Sequence, residues 1–222
     1  MCIIDVGAYR GETGDSTQEY AKAFPQNTVY AFEPLSESFD TLVENTELLK
    51  NVIPVNKALS NTVEQGVINV TSSSHSSSLL EINEQKVGEL KNQYAEILAF
   101  SRRENIQITR LDDFAQERNI NMVAILKIDT QGNELKVLEG SIQSLQKTVL
   151  VVLEMNNNST YVQAPKYYIV DDFLRKAGFL LHDIIPSLYE KGRMYEYDAI
   201  YVNTKFDDYI NTTDKYDEIL VY

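Results

Sequence analysis

The chain has 222 residues, enough for one compact domain with a sizeable core. Its formal net charge of -13 repels phosphate backbones and anionic membrane surfaces, so no nucleic-acid partner is expected. Cys2 is the only cysteine, which excludes an intrachain disulfide and a cysteine-based zinc site.

No apolar run approaches the roughly 18 residues of a membrane helix, and the first residues read as a strand rather than a signal peptide. No integral membrane segment and a cytoplasmic location are therefore expected. Cys2–Val6 is a short apolar run, a buried strand by its length. Ser16–Phe24 sets Tyr20, Ala21 and Phe24 on one helical face, with Asp15 as the expected N-cap and Pro25 as the stop. Thr28–Phe32 is strand-like, Glu37–Leu49 has helical spacing, Val52–Ala58 reads as a third strand and Val67–Thr71 as a short extra one. The serine-rich stretch TSSSHSSSLL, Thr71–Leu80, leads into a polar amphipathic helix predicted over Ile82–Phe100. Ile106–Thr109 is a short strand and Leu111–Arg118 a short helix with Asp112 or Asp113 as cap.

Val123–Ile128 is a near-continuous apolar run that ends in Asp129. Glu134–Leu138 starts a helix that Gly140 interrupts, and Thr148–Leu153 is another buried strand, ending in Glu154. Tyr167–Lys176 is a helix with Gly178 as its C-cap. Phe179–Ile185 and Tyr197–Val202 can pair as an antiparallel hairpin about Gly192. The tail from Asn203 is polar and has no assigned role.

This alternation of solid apolar strands with helices predicts an α/β fold. It is a Rossmann-like, doubly wound, mostly parallel sheet with a C-terminal antiparallel hairpin. One domain over residues 1–222 is expected, with a helical insertion at about 72–104. In such sheets ligands sit outside the carboxyl ends of the strands, at the point where the strand order reverses. That rule selects Asp5–Gly14, Glu33–Pro34, Asn56–Ala58, Asp129–Gly132 and Glu154–Asn156 for close reading.

The first loop reads D-V-G-A-Y-R-G-E-T-G, a G-x-x-x-G-x-x-G spacing rather than the G-x-G-x-x-G of a dinucleotide site. Gly7 and Gly11 let the backbone turn and approach a ligand closely. Two carboxylates, Asp5 and Glu12, would repel pyrophosphate but attract a sulfonium and an ammonium. Glu33 ends the second strand, where an acidic side chain accepts both ribose hydroxyls, and Pro34 stiffens the turn after it. A ribose ligand with cationic groups and no phosphate is S-adenosyl-L-methionine. NAD is the alternative ligand, and with it an NAD(P)-dependent enzyme; a non-catalytic binding protein retaining the fold is the other alternative.

Five stretches in this order, IIDVGAYRGETG, VYAFEP, NVIPVNKALS, ITRLDDF and LKIDTQGNELKVLEG, resemble the FkbM-type methyltransferases, over roughly Ile3 to Glu154. The block K-I-D-x-Q-G-x-E-L-x-V-L-x-G is the specific one. The resemblance implies S-adenosylmethionine-dependent O-methylation of a small-molecule or glycan hydroxyl, in a glycan, glycolipid or natural product. The family's loop usually continues D-V-G-A-N, whereas here Tyr9 and Arg10 follow Ala8, which bears on how the methionine end is held. The family usually has a segment ahead of the first strand, so a lid over the cofactor is either missing here or supplied by Thr71–Phe100 or by another subunit.

The expected cofactor-binding set is Asp5, Gly7, Ala8, Tyr9, Gly11, Thr13, Glu33, Pro34, Asn56, Lys57, Ala58 and Asp129. Asp129, at the end of the central strand, is the leading catalytic candidate, to orient the donor or to accept the hydroxyl proton. Lys127, two residues earlier on the same strand face, is its expected charge partner. His75 in the serine loop and Glu154 are the next candidate bases. Glu134 is either an active-site partner or a first-turn helix carboxylate. Asn156–Asn158 and Tyr161, Tyr167 and Tyr168 are candidate substrate contacts, and His182 is read as structural. Two distant histidines argue against a His-rich metal site and no metal ligands are assigned; a magnesium held by carboxylates alone is the open alternative.

Overall fold

The computed structural model describes residues 1–88, 92–157, 159–190 and 192–206. The expectations for Asn158 and for the tail after residue 206 lie outside the described residues.

The elements run β1 (Cys2–Val6), α1 (Ser16–Ala23), β2 (Thr28–Phe32), α2 (Ser36–Thr46), β3 (Val52–Val55), β4 (Ala58–Leu59) and β5 (Glu64–Thr71). They continue with α3 (Glu84–Gly88), α4 (Asn92–Ile97), β6 (Phe100–Thr109), α5 (Leu111–Glu117), β7 (Val123–Ile128) and α6 (Glu134–Glu139). Then come α7 (Ile142–Leu145), β8 (Thr148–Asn156), α8 (Tyr167–Lys176), β9 (Phe179–Glu190) and β10 (Arg193–Asn203). A 3₁₀ turn spans Ser74–Ser76 between β5 and α3.

Seven strands form one sheet in the order β3-β2-β1-β7-β8-β10-β9. The first five are parallel, and β10 pairs antiparallel with both β8 and β9. This is the predicted α/β class, a mostly parallel sheet closed by an antiparallel hairpin. The strands are apolar on both faces because both faces are covered. Ile4 packs with Phe32, Leu126 and Ile128 in one core cluster, while its neighbour Ile3 packs with Val29, Ile125 and Leu150 in another. The strand order reverses between β1 and β7, so a crevice opens outside their carboxyl ends.

Four expectations are corrected. Val52–Ala58 is two strands: β3 ends the main sheet, and β4 pairs parallel with β6 in a separate sheet of order β4-β6-β5. The chain turns at Asn56–Lys57, with the Lys57 N–H donating to Val55 O at 2.9 Å. The break was invisible in the hydropathy because Ala58 and Leu59 are buried in their new layer too. The helix predicted over Ile82–Phe100 has different limits: its described helical residues are Glu84–Gly88 and Asn92–Ile97, and Phe100 already pairs with Thr71 in the β5–β6 ladder. The hairpin strands also run on to Glu190 and from Arg193, because ladder pairing carries polar residues that have no apolar alternation.

The last correction concerns caps. The side chain of Asp15 does not cap α1 but accepts the Glu12 N–H at 2.7 Å, within the preceding turn. Asp112 does not cap its own helix; it accepts the N–H groups of Gln143 and Ser144 at 3.0 and 2.7 Å, at the start of α7. Gly178, at φ +94, follows α8 as expected.

Candidate active site

The first loop and the end of β7 touch through backbone. Gly7 has φ +84, and a Cβ there would stand 1.9 Å from the Asp129 carbonyl oxygen. Only glycine allows this approach. The N–H groups of Gly7 and Ala8 both donate to Phe32 O, at 3.1 and 3.0 Å, which keeps the loop against the end of β2. Tyr9, at φ +51, is left-handed without being glycine. Its ring stands edge-on to His75 with centroids 5.0 Å apart, and the Arg10 guanidinium lies 5.2 Å from the ring centroid. Ser74 Oγ donates to the Tyr9 hydroxyl at 3.4 Å. The residue that departs from the family loop thus ties that loop to the Ser74–Ser76 turn.

Asp5 is fully buried. Its Oδ2 accepts the hydroxyls of Ser16 and Thr17, at 2.8 and 2.6 Å, and so anchors the start of α1. Its Oδ1 lies 3.5 Å from Lys127 Nζ, which is also 3.5 Å from Asp129 Oδ2. Burial alone would lower the Lys127 pKa. The carboxylates of Asp5, Asp129, Glu154 and Asp198 outweigh burial and hold it above the ordinary lysine range.

Glu33 is buried at the end of β2 and accepts the Leu35 N–H on Oε1 at 2.9 Å. Burial pushes its carboxyl up to about 8, against the lowering effect of the backbone N–H groups of Leu35 and Tyr9. Asn56 does not reach the cleft itself. Its Nδ2 donates to Glu33 O and Pro34 O, at 2.9 and 3.2 Å, and so fixes the turn that presents Glu33.

Beyond β7 the turn D-T-Q-G is held from inside. Glu134 Oε1 accepts the Thr130 N–H and hydroxyl, both at 3.1 Å, and the Gly132 N–H at 2.9 Å. Glu134 therefore serves the loop, and burial raises its pKa. Gln131, at φ +55, lies in the stretch chosen for close reading but is given no role there. Its Nε2 donates to Asp129 Oδ1 at 2.9 Å and to Glu154 Oε2 at 3.0 Å, so one amide spaces two carboxylates. Tyr161 donates its hydroxyl to Ser76 O at 2.7 Å and lies 3.1 Å from Gln131 Oε1. Ser78 donates to Gln131 O at 2.8 Å. The signal available was the polar side chain beside Gly132 in the specific block. Burial first, and Asp129 next, raise the Glu154 pKa well above the usual carboxylate range.

These parts frame a cleft of about 610 Å³, including its open mouth. Of the expected residues, Gly7, Tyr9, Glu33, Pro34, Lys57, Ala58, His75 and Asp129 line it. Asp5, Ala8, Gly11, Thr13 and Asn56 do not; Glu154 lines a smaller adjoining cleft with Gln131, Asn156 and Tyr161. Gly11 instead makes room for Leu42, whose Cδ1 would sit 2.5 Å from a Cβ there. Thr13 is exposed. Tyr167 and Tyr168 are exposed at the start of α8 and line none of these clefts, and Asn157 spends its amide on Met194 O at 3.0 Å. Asn133, unanticipated, lines the main cleft. Its Nδ2 donates to Leu59 O at 3.1 Å, while its buried Oδ1 has no partner among the described residues. No group of three or more candidate metal-ligating side chains occurs among the described residues.

The model of the methyltransferase FkbM domain matches residues 5–181. The chain belongs to the FkbM methyltransferase family. It is 29% identical over 146 residues to Methyltransferase 1 of Beauveria bassiana (strain ARSEF 2860), an alignment covering 62% of this chain and 57% of that protein. The chain thus spans little more than half the length of this relative. Among solved structures, methyltransferase FkbM from Methylobacillus flagellatus KT superposes with a TM-score of 0.52 at 12% identity, over 90% of this chain and 43% of that one. Aeropyrum pernix fibrillarin, solved with natively bound S-adenosyl-L-methionine, superposes with a TM-score of 0.51 at 9% identity, over 90% of this chain and 66% of that one. At such identities the likeness shows the fold alone. Within the FkbM domain, the specific block K-I-D-x-Q-G-x-E builds the β7 end, the Gln131 bridge and the Glu134-held turn as one unit.

Proposed function

We propose that this FkbM-family chain is an S-adenosylmethionine-dependent O-methyltransferase acting on a sugar or natural-product hydroxyl. The observation that carries the reading is that Glu33, at the end of β2, lines the same cleft as Gly7 and Asp129. A carboxylate there suits two ribose hydroxyls. The rest of the lining fits the same ligand. Phe32, Leu35, Leu59, Ile68 and Leu79 offer an apolar wall for a flat base, and the unpartnered Asn133 Oδ1 offers an acceptor for an exocyclic amine. A buried acceptor left without a donor is costly, so a ligand amine that reaches it is favoured.

When bound, the cofactor supplies an electrophilic methyl group on a sulfonium. The protein's part is alignment of the acceptor oxygen and removal of its proton. Asp129 is placed for either role, because Lys127 and Gln131 fix its carboxylate from two sides. His75, which lines the same cleft, and Glu154, bonded to Gln131, are the next bases in line. We read residues 1–222 as one domain, with the segment between β5 and β6 as its insertion. No helix among the described residues is long and apolar enough to cross a membrane. The lone cysteine and the acidic surface support a cytoplasmic enzyme without a nucleic-acid partner.

The test is thermal unfolding with S-adenosylhomocysteine and with NAD. A ligand at a hundredfold excess over its Kd adds about 2.7 kcal/mol. Stabilisation by S-adenosylhomocysteine but not by NAD is expected; stabilisation by NAD alone would sink the reading. The 6-oxo analogue S-inosylhomocysteine should bind about tenfold more weakly, and Asn133→Ala should abolish that preference.

A further inference from the structure

A second cleft opens on the far side of His75 and Gln131, which line both it and the cofactor cleft. It holds about 890 Å³ including its mouth. Its walls are apolar or aromatic: Ile97 and Leu98 from the segment between β5 and β6, Leu188 and Tyr195 from the hairpin, and Tyr161 below. The insertion and the hairpin therefore meet over the end of β8, and the space between them leads towards Asp129.

The carboxyl groups in and around this space outnumber its cations among the described residues. Glu196 lines it, and Glu154 lies one step deeper in the adjoining cleft. Asp198 stands opposite Glu154 in the β8–β10 register. Gln131 holds Asp129 and Glu154 together at the boundary between the two clefts. Among the described residues no lysine or arginine lines either outer cleft. Lys127, the cation beneath, is already shared between Asp5 and Asp129 at 3.5 Å each. An anionic ligand entering here would meet acidic side chains in a partly dry site whose lining, among the described residues, holds no lysine or arginine; Lys86 approaches from outside it, with Nζ on Ser159 O at 3.0 Å. A hydroxyl or an ammonium would meet acceptors.

Resting on the methyltransferase reading above, we infer that this second cleft receives the methyl acceptor. We further infer that the acceptor is an uncharged or cationic hydroxyl compound with an apolar or aromatic portion, and not a phosphorylated or carboxylated one. The apolar walls bind the body of the acceptor. The polar floor, at Glu196 and Asn156, orients its hydroxyl towards Asp129 and His75. Glycosides with an apolar aglycone and hydroxylated amphiphiles fit this description, whereas nucleotide-activated and phosphorylated sugars do not.

Three probes sharing one alkyl chain test it: octyl glucoside, octylammonium and octyl phosphate. Each is titrated by calorimetry, below micelle-forming concentrations, into the protein saturated with S-adenosylhomocysteine. Octyl glucoside and octylammonium should bind saturably, with octyl phosphate at least tenfold weaker. Ile97→Ser changes a half-open wall position and should weaken octyl glucoside severalfold with S-adenosylhomocysteine affinity unchanged; no change would place the probes elsewhere and overturn the assignment. Glu196→Lys should reverse the charge order, and Glu196→Gln should flatten it if the lysine variant does not fold. Octyl phosphate binding as tightly as octylammonium, or no saturable binding of any probe, would overturn the inference. Should S-adenosylhomocysteine itself fail to bind, the cofactor reading falls, while titration of the free protein still reads the charge preference of the cleft.

Discussion

Asp5 and Lys127 stand opposite each other in the parallel register of β1 and β7, with Lys127 Nζ 3.5 Å from Asp5 Oδ1. Asp5 spends its other oxygen on Ser16 and Thr17, so it joins the two central strands to the first helix. Asp5→Asn keeps the shape and removes the charge. Breaking one side of a buried pair costs roughly 3–5 kcal/mol, and Asp129 remains beside Lys127 to hold the loss near the lower end. Denaturant unfolding should show about 3 kcal/mol of destabilisation with little change in S-adenosylhomocysteine affinity. A large affinity loss at unchanged stability would return Asp5 to the ligand shell.

Gly7 and Gly14 are both left-handed, at φ +84 and +97, but only Gly7 faces backbone. Gly14→Ala should cost about 1–2 kcal/mol, the left-handed penalty alone, because nothing lies within 4 Å of its Cβ. Gly7→Ala adds a methyl 1.9 Å from Asp129 O. It should cost at least about 4 kcal/mol or leave the protein unfolded. Equal losses in the two variants would refute the contact.

Glu33 predicts an unusual pH dependence. Its folded pKa is raised from 4.5 to about 8, so the folded state binds this proton more tightly than the unfolded chain. Stability from Glu33 is then fully present below about 4.5 and drains away as the pH rises towards about 8. At 1.36 kcal/mol per unit the effect is on the order of 5 kcal/mol. Glu134, Glu154, Glu196 and Asp198 are raised in the same direction. The ligand-free protein should melt at lower temperature at pH 8 than at pH 6, and Glu33→Gln should flatten that slope. Cofactor affinity should move the other way, rising with pH as the carboxylate forms, and a pH-independent affinity would count against Glu33 as the ribose acceptor.

Asp129→Asn separates three roles. As a general base, Asp129 contributes about 10²–10⁴ in turnover, and asparagine should remove that with cofactor affinity little changed. As a donor-orienting group, its loss should lower affinity and rate together. As a loop residue only, it should leave the rate per folded enzyme intact. The Gln131 amide stays paired to Glu154 in this variant, so the loop itself should hold.

Much of this was legible in the sequence where one force dominated. β1, β2, β7 and α8 have the predicted limits because their apolar residues are buried on the face the pattern implies. The carboxyl-end rule likewise located Gly7, Glu33 and Asp129 in one cleft. What stayed hidden depended on partners distant in the chain. The second sheet exists because Glu64–Thr71 finds Phe100–Ile108 across 28 intervening residues, which no local period reports. Gln131 read as one polar letter in a turn, and only the approach of β8 and Tyr161 makes it a bridge. Asp5 read as a ligand group because its spacing suited one, whereas the hydroxyls that occupy it sit eleven and twelve residues later.

The two sheets share no hydrogen-bonded strand. The β5–β6 ladder closes on itself, and everything between its strands is tethered at both ends to one stable pairing. Insertions, deletions or exchanges in residues 72–99 therefore need not disturb the register of β1, β2 and β7, which present Gly7, Glu33 and Asp129. Within this segment Ser74, His75, Ser78 and Leu79 are bound to the main cleft, whereas Ile97 and Leu98 face only the outer one and are freer to vary. On the acceptor-cleft proposal, a change of acceptor is expected from changes in that outer stretch alone, with the parts that hold the donor unaltered.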